Sequence, residues 1–370
     1  MGDKIILDGH KMAWHGERVE AWLRGERVAP IEIECSLTRK CNYNCVYCYG
    51  KLQENEEKKL DEEVIFNFLD DAAEIGVKSI ALIGDGENTC SPHLYKAIAR
   101  GKNNGIDMAL ATNGSLLKRD KLEEILPSLT YLRFSISAGE PARYKEIMGS
   151  KDGDFQKVCE TISEAVRIKK ERGLETTIGL QMVLMPRFAD QVMPLAKLGK
   201  ELGADYLVIK HCSDDELGSL GVDYTEYQRK HLTDILHEAE KESNENYLVR
   251  AKWTKLLSGG SRCYTKCYGP VFSLQISGSG LVAPCGFFFN EQYKKYHIGN
   301  IAETRFKEIW QSEKYWDVMK ELSSETFDAN TMCGKLCFQH KVNEYLDGIK
   351  KGTIKFGPPS GNKPLHVNFI

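Results

Sequence analysis

The segment Ile31-Glu-Ile-Glu-Cys-Ser-Leu-Thr-Arg-Lys-Cys41-Asn-Tyr-Asn-Cys45-Val-Tyr-Cys48 joins an apolar, strand-like run to three closely spaced cysteines. Three thiolates at C-x3-C-x2-C spacing can bind three irons of a [4Fe-4S] cube, because such clusters are held by cysteines at close spacing on loops. The fourth iron then lacks a protein ligand, and an open coordination position allows chemistry at the metal. The segment therefore predicts a reactive cluster bound by Cys41, Cys45 and Cys48. A zinc site is the alternative, although zinc motifs usually contain paired C-x2-C units.

The composition is that of an ordinary globular protein. With 370 residues the chain can form one large domain and a small one. Its net charge of −3 gives no indication of a nucleic-acid or anionic membrane partner. No apolar run approaches the ~20 residues of a membrane span, and the N-terminus lacks the apolar core of a secretory signal. Twelve cysteines without an export signal favour metal ligands in a reducing cytoplasm over disulfides.

Strand-like and helix-like patterns alternate six times between residue 31 and about residue 242. The predicted strands are Ile31–Ser36, Ser79–Gly84, Asp107–Thr112, Tyr131–Ser137, Thr177–Leu184 and Asp205–His211. The predicted helices are Asp61–Ile75, His93–Asn104, Ser115–Leu126, Asp154–Arg172, Asp190–Leu202 and Thr225–Ser243. Repeated β-α units predict a parallel sheet with helices packed outside it.

The cysteine motif, with an aromatic residue before its last cysteine, resembles the signature of the radical S-adenosylmethionine (radical SAM) superfamily. The resemblance implies an α/β fold, a partial (β/α)6 TIM-type barrel at about residues 31–245, preceded by an extension at 1–30. In that family the open iron chelates SAM. An electron from the cluster cleaves SAM to methionine and a 5′-deoxyadenosyl radical, which takes a hydrogen atom from the substrate. A reducing partner such as flavodoxin or ferredoxin is therefore implied.

The SAM-binding residues are also inferred from this resemblance. Strand two runs into Gly84-Asp85-Gly86-Glu87, which resembles the family's glycine-glycine-glutamate motif for the SAM ammonium group, with Asp85 where the family often has Gly. Further residues occupy positions similar to SAM contacts at the ends of strands three to five and in the cluster loop: Asn113, Ser135, Ser137, Gln181 and Tyr47. Satisfied strand serines and a loop-shaping asparagine are the structural alternatives.

A second group of cysteines lies between residues 250 and 345. Cys267 is followed by twelve residues and then Gly280-Leu-Val-Ala-Pro-Cys285, which resembles the start of SPASM and Twitch auxiliary-cluster domains. Cys333 and Cys337 complete a set of four, and Cys263 is an alternative to Cys267. Five cysteines after residue 250 are too few for the two clusters of a full SPASM domain, which implies one auxiliary [4Fe-4S] cluster. Structural zinc is the alternative. We expect a tail at residues 346–370.

Strand six ends in Lys210-His211-Cys212, at the end of the barrel where such folds place chemistry. Alternation puts Lys210 and Cys212 on one side of the strand and His211 on the other. The Cys212 thiol is a candidate hydrogen-atom donor, and a buried, unreactive thiol is the alternative.

The resemblance leaves several reactions open. We expect hydrogen abstraction from a small hydroxylated molecule (a sugar, nucleotide sugar or aminocyclitol), leading to oxidation or epimerisation. About forty residues before Cys41 are too few for a further leader-binding domain with its own core, which favours a small substrate over a peptide. A peptide- or protein-modifying maturase is the alternative enzyme, and an iron–sulfur electron carrier is the alternative outside enzymes.

Overall fold

The computed structural model describes residues 5–55, 58–334, 336–359 and 361–370. The strands of these residues form one sheet with the order β10-β9-β8-β1-β2-β3-β4-β5-β6-β7. Their bounds are β1 Glu32–Cys35, β2 Ser79–Leu82, β3 Asp107–Thr112, β4 Leu129–Ser135, β5 Thr177–Leu184, β6 Tyr206–His211, β7 Leu248–Ala251, β8 Ser273–Ile276, β9 Leu281–Ala283 and β10 Gly299–Asn300.

Most α-helices lie between consecutive strands. They are α1 Gly16–Leu23, α2 Glu62–Ile75, α3 Leu94–Asn103, α4 Leu122–Ile125, α5 Pro141–Met148, α6 Asp154–Arg172, α7 Val192–Glu201, α8 Lys230–Glu240, α9 Trp253–Leu256, α10 Phe306–Gln311, α11 Glu313–Leu322 and α12 His340–Lys350. Strong local signals set their ends. Asp61 caps α2 by accepting from the Val64 N–H, and Gly76 ends the helix at φ 95°, where glycine is favoured.

Strands β1 to β7 are all parallel, and each pairs with the next along the chain. The six strands predicted from the sequence are confirmed, with ends shifted by one or two residues. Strand β7 was not predicted, because a four-residue strand carries too little periodicity. The sheet stays open between β7 and β10, so the structure is a partial barrel as expected.

Two predicted helices are wrong in part. Residues 115–126 contain only the short α4, flanked by 3-10 turns at Arg119–Lys121 and Leu126–Ser128. Pro127 prevents the helix from continuing beyond α4. Residues 225–243 begin with a 3-10 turn, Tyr224–Gln228, before α8. Helix α5 was not predicted.

The second group of cysteines belongs to the same sheet. Strand β8 pairs in parallel with the free edge of β1, opposite β2, so Ile33 lies between Ile80 and Leu274. Strands β9 and β10 then continue the sheet in antiparallel fashion. Strands β8 and β9 form a hairpin that places Cys285 just after its second strand. The predicted boundary near residue 250 stays a prediction.

The two faces of the parallel strands differ in chemistry. Ile33, Ile80 and Leu132 are fully buried beneath the outer helices. The concave face, which surrounds the lumen of the partial barrel, carries polar groups such as Glu34 and Arg133. Alternation along each strand produces this division.

The C-terminal tail closes the lumen at the N-terminal ends of the strands. The Phe369 ring packs edge-on against Tyr131 with centroids 5.0 Å apart, and the Ile370 N–H donates to Glu32 Oε2 at 2.9 Å. Leu365 forms a parallel bridge with Ile5. Chemistry in the lumen is thus directed to the opposite, C-terminal ends of the strands. No helix in the described part of the chain is long and apolar enough to span a membrane.

Candidate active site

The loop that carries Cys41, Cys45 and Cys48 leaves β1 through a tight backbone passage. A Cβ at Gly86 would lie 1.9 Å from the Thr38 carbonyl oxygen, and a Cβ at Gly278 would lie 2.1 Å from the Thr38 carbonyl carbon. Only glycine permits such an approach of two backbones. The Glu87 N–H also donates to the Lys40 carbonyl at 2.9 Å. The loop is therefore clamped between the turn after β2 and the turn after β8.

The three thiols of this loop lie close enough to influence one another. Cys41 is exposed, whereas Cys45 and Cys48 are half-buried, and all three are free of disulfides. Burial raises the pKa of Cys45 to about 12, and the neighbouring thiols Cys48 and Cys41 raise it further. Binding of a cluster must therefore displace protons from these thiols.

Glu87 fixes the predicted SAM motif from inside the protein. Its carboxylate is buried and accepts from the Thr112 hydroxyl at 2.7 Å, the Asn113 N–H at 2.7 Å, and the Thr89 N–H and hydroxyl at 3.0 and 2.7 Å. Gly84 lies against Ser36, where a Cβ would come within 2.5 Å of the hydroxyl. The motif thus joins the ends of β1, β2 and β3, and its contact with SAM stays a prediction.

Asp85, the departure from the family pattern, joins this motif to the hairpin. Its carboxylate accepts from the Ser277 hydroxyl at 2.5 Å and the Gly278 N–H at 2.8 Å. Arg39 Nε lies 3.4 Å from the same carboxylate, whose side chain is only 4% exposed. The residue thus has a structural partner in the turn between β8 and β9, which no local sequence pattern could indicate.

Asn113 connects the end of β3 to the cluster loop. Its Nδ2 donates to Asn42 Oδ1 at 3.0 Å, between the first two cysteines, while Asn42 Nδ2 donates to the Ser115 hydroxyl at 2.8 Å. Asn113 Oδ1 in turn accepts from the Ser115 N–H and hydroxyl. The network holds the loop and leaves the Asn113 backbone at the C-terminal edge of the sheet.

The remaining predicted SAM contacts lie at the same edge. The Tyr47 hydroxyl donates to Met148 Sδ at 3.0 Å, and the buried Ser137 hydroxyl accepts from the Val183 N–H at 3.1 Å. Ser135 and Gln181 are register partners in β4 and β5. The structure therefore brings together the cluster loop and the ends of β2 to β5, as SAM binding would require.

The three candidate catalytic residues at the end of β6, Lys210, His211 and Cys212, lie on two faces of the strand. The Cys212 Sγ lies 3.9 Å from the Tyr47 carbonyl in the cluster loop, and burial raises its pKa to about 12, so it is a protonated thiol at neutral pH. Burial lowers the pKa of Lys210 to about 8, with Arg133 and Lys255 lowering it further. His211 faces away and packs edge-on against Tyr227 at 6.5 Å. The structure thus places Cys212 beside the cluster loop and His211 in the core.

The second group of cysteines converges from three separate segments. Burial raises the pKa of the Cys267, Cys285 and Cys333 thiols, and each is raised further by at least one other member of the set that includes Cys337. Asn343 Nδ2 lies 3.7 Å from Cys267 Sγ and 3.6 Å from Cys337 Sγ. The four thiols, Cys267, Cys285, Cys333 and Cys337, therefore share one site.

Cys263 lies outside that site. It is exposed, and its Sγ lies 3.9 Å from Glu344 Oε1. This position favours Cys267 as the ligand of the auxiliary site.

The two donor sets match the ligand counts of iron–sulfur cubes. Three thiols in the cluster loop leave one iron of a cube open, and four thiols in the second group would ligate a cube completely.

Comparison with known proteins identifies the family. The family model of the radical SAM superfamily matches residues 35–198, and that of the SPASM iron–sulfur cluster-binding domain matches residues 267–338. The chain belongs to the radical SAM superfamily. It is an enzyme of that class with a C-terminal SPASM-type domain, and its cofactors are SAM and [4Fe-4S] clusters.

Relatives with different activities share this organisation. The chain is 23% identical to the tungsten-containing aldehyde ferredoxin oxidoreductase cofactor-modifying protein of Pyrococcus furiosus, over 75% of this chain and 80% of that protein. It is 27% identical to the AdoMet-dependent heme synthase of Methanosarcina barkeri, over 79% of this chain and 85% of the synthase.

Solved structures share the fold. Streptococcus suis SuiB bound to S-adenosylmethionine superposes with a TM-score of 0.64 at 17% identity, covering 90% of this chain and 78% of SuiB. The anSMEcpe enzyme with bound AdoMet gives a TM-score of 0.58 at 18% identity, covering 85% of this chain and 88% of that one. At this identity the likeness supports the fold class and carries no information about the substrate.

The polar residues of the lumen belong to no sequence motif. One cavity is lined by polar residues from distant elements: Glu34 from β1, Arg133 from β4, Gln275 from β8, and Lys252 directly after β7. Each strand contributes only one or two residues, so no local motif reveals the group. The available signal was a charged residue on the alternating face of an otherwise apolar strand, as at Arg133 in β4.

Proposed function

We propose that this radical SAM enzyme oxidises a small hydroxylated molecule bound in the lumen, with Lys210 as the proton acceptor. One observation carries the proposal: Lys210 is half-buried on the lumen face of β6, two residues before a thiol that touches the cluster loop. A side chain there lies between the predicted SAM site and the cavity below it. A lysine with a pKa near 8 is partly neutral at physiological pH and can accept a proton.

The clusters and the residues have separate tasks in this proposal. When bound, SAM with the cluster of Cys41, Cys45 and Cys48 supplies hydrogen-atom abstraction, and the auxiliary cluster supplies an electron acceptor. Conversion of a carbinol to a carbonyl removes one hydrogen atom, one electron and one proton, a net two-electron oxidation. The neutral Lys210 amine takes the hydroxyl proton. The C-terminal tail closes the far end of the lumen and limits the entry of water.

Hydrogen bonds link the lumen to the auxiliary site. The Gln275 side chain donates to Glu34 in the lumen and accepts from the Gly286 N–H, directly after Cys285. This connection positions the lumen wall against a ligand of the auxiliary site, which supports a substrate close to both sites. Two relatives are named for heme synthesis and for modifying a cofactor, which also supports a small molecule over a peptide.

Epimerisation is the second candidate, because Cys212 is a protonated thiol beside the cluster loop. In that reaction the thiol returns a hydrogen atom to the opposite face of the substrate radical. The Cys212→Ala variant then loses the epimer while SAM cleavage continues.

The test uses anaerobically reconstituted holoenzyme, dithionite and a panel of sugars, nucleotide sugars and aminocyclitols deuterated at their carbinol carbons. Transfer of deuterium to 5′-deoxyadenosine identifies the substrate, and carbonyl formation identifies oxidation. Because only the neutral amine accepts a proton, turnover of the wild type should rise as the pH passes about 8. Lys210→Met should lose this rise, whereas Lys230→Met, at a side chain 86% exposed, should keep it. Deuterium transfer from a peptide alone, or an unchanged pH profile in Lys210→Met, would contradict the proposal.

A further inference from the structure

The lumen contains a cavity of about 170 Å³ on the concave face of the sheet. Its wall includes Arg133 from β4 together with Lys252 and Lys255 from the segment after β7. Pockets for whole drug-sized ligands usually measure ~300–1,000 Å³. The cavity is therefore large enough for one functional group and a few carbons of a substrate.

Three cations in and beside this cavity form no direct ion pair with any residue that the structure describes. Lys210 and Lys252 make no ion pair or hydrogen bond through Nζ with any residue that the structure describes. Arg133 makes no ion pair there either, and its buried Nε has no hydrogen-bond partner. Its guanidinium lies 5.5 Å from the centre of the Tyr131 ring. By contrast, Lys255 is satisfied by the Phe338 carbonyl at 2.8 Å.

The three cations lie close enough to repel one another. Burial lowers the pKa of Lys252 well below its usual value, and Lys255, Lys210 and Arg133 lower it further. Burial also lowers the pKa of Lys210, and the positive charges of Arg133 and Lys255 lower it further. Charges of one sign that share a half-buried site are unfavourable unless an opposite charge compensates them.

The carboxylates of the cavity act on these cations without forming a direct ion pair: Glu34 raises the pKa of Lys210 and Arg133, and Asp8 raises that of Lys252. Glu34 accepts from the Gln275 amide, and Glu32 accepts from the Ile370 N–H. Asp8 is held by the Thr254 N–H at 3.0 Å and by the Thr254 hydroxyl. None of these carboxylates forms an ion pair with Arg133, Lys210 or Lys252 among the described residues.

We propose that Arg133 and Lys252 form a binding site for an anionic group of the substrate, a carboxylate or a phosphate. The planar guanidinium of an arginine can bind either group with two parallel hydrogen bonds, and a lysine adds a point charge. With the anion held there, the rest of the substrate extends past Lys210 toward the cluster loop. This inference rests on the proposed function, since it places the same substrate in the same lumen.

The test measures thermal unfolding of the anaerobic holoenzyme with sodium phosphate or sodium succinate against sodium chloride of equal ionic strength. At about ten times the dissociation constant, a specific anion should raise the Tm by on the order of 2 °C. Lys252→Gln and Arg133→Gln should lose this rise, and the exposed control Lys230→Gln should keep it. Without anion, Lys252→Gln should unfold at or above the wild-type temperature, because it removes a repulsive charge.

The outcomes separate the two sources of the anionic group. A rise with phosphate alone indicates a phosphorylated substrate, and a rise with succinate alone indicates a carboxylate. No rise beyond sodium chloride, an equal rise in all variants, or a Tm of anion-free Lys252→Gln below that of the wild type would overturn the proposal. The oxidation assay, run on the same preparations, is independent: a retained anion effect without oxidation of any substrate contradicts only the proposed function.

Discussion

Replacing Asp85 with Ala should weaken the connection between the predicted SAM motif and the β8–β9 hairpin. The variant loses two hydrogen bonds to a carboxylate, from the Ser277 hydroxyl and the Gly278 N–H. A hydrogen bond to a charged group contributes about 1.5–3 kcal/mol, so the two together contribute about 3–6 kcal/mol. The Arg39 contact at 3.4 Å is long and adds little. The Gly278 N–H is left without its partner, which is the main cause of the loss.

Anaerobic urea unfolding of the reconstituted enzyme, followed by circular dichroism, measures this effect. Asp152→Ala is a matched control, because that carboxylate forms an ion pair with Lys145 at 2.7 Å while 89% exposed. Exposed ion pairs contribute about 0–1 kcal/mol. A loss for Asp85→Ala no larger than that of Asp152→Ala would refute the reasoning. The iron content of the same samples distinguishes unfolding of the protein from loss of a cluster.

Three further predictions concern the loops around the two thiol sites. Glu87→Gln should lower the free energy of unfolding by about 2–4 kcal/mol, since one oxygen facing the Asn113 N–H becomes a donor; unchanged urea midpoints would contradict this. Gly278→Ala should reduce SAM cleavage severalfold because its Cβ would overlap the Thr38 carbonyl, and wild-type cleavage rates would show that the loop adapts. Asn343→Asp should lower the reduction potential of the auxiliary cluster, because it replaces an N–H near two thiols with a negative charge. A redox titration monitored by electron paramagnetic resonance measures this change in potential.

The sequence predicted the parallel strands well because each is a short apolar run bounded by polar residues and glycine. It failed where tertiary contacts decide the structure. Strand β7 is four residues long and exists as a strand because it adds to the edge of β6. The helix predicted at residues 115–126 is shortened to α4, where the chain must turn sharply into β4.

In the candidate site, too, local motifs were predictable from the sequence and groups formed by tertiary contacts were not. Cys41, Cys45 and Cys48 form a local motif, so their grouping is evident from spacing alone. The partners of Asp85 are about 190 residues away in sequence, and Arg133 and Lys252 meet only because β4 and β7 face one lumen. Groups assembled from single residues of distant strands leave no pattern in a linear sequence.

The position of β8 has a consequence for engineering and for the exchange of modules. Because β8 occupies the free edge of β1, removal of the C-terminal third would expose an unpaired strand edge within the sheet. Such edges recruit other chains and cause aggregation. A chimaera that borrows an auxiliary domain must therefore bring its own strand in the register that sets Leu274 beside Ile33. The two cluster-binding parts share one sheet and should fold together. Chimaeras divided between them should aggregate before their activity can be measured.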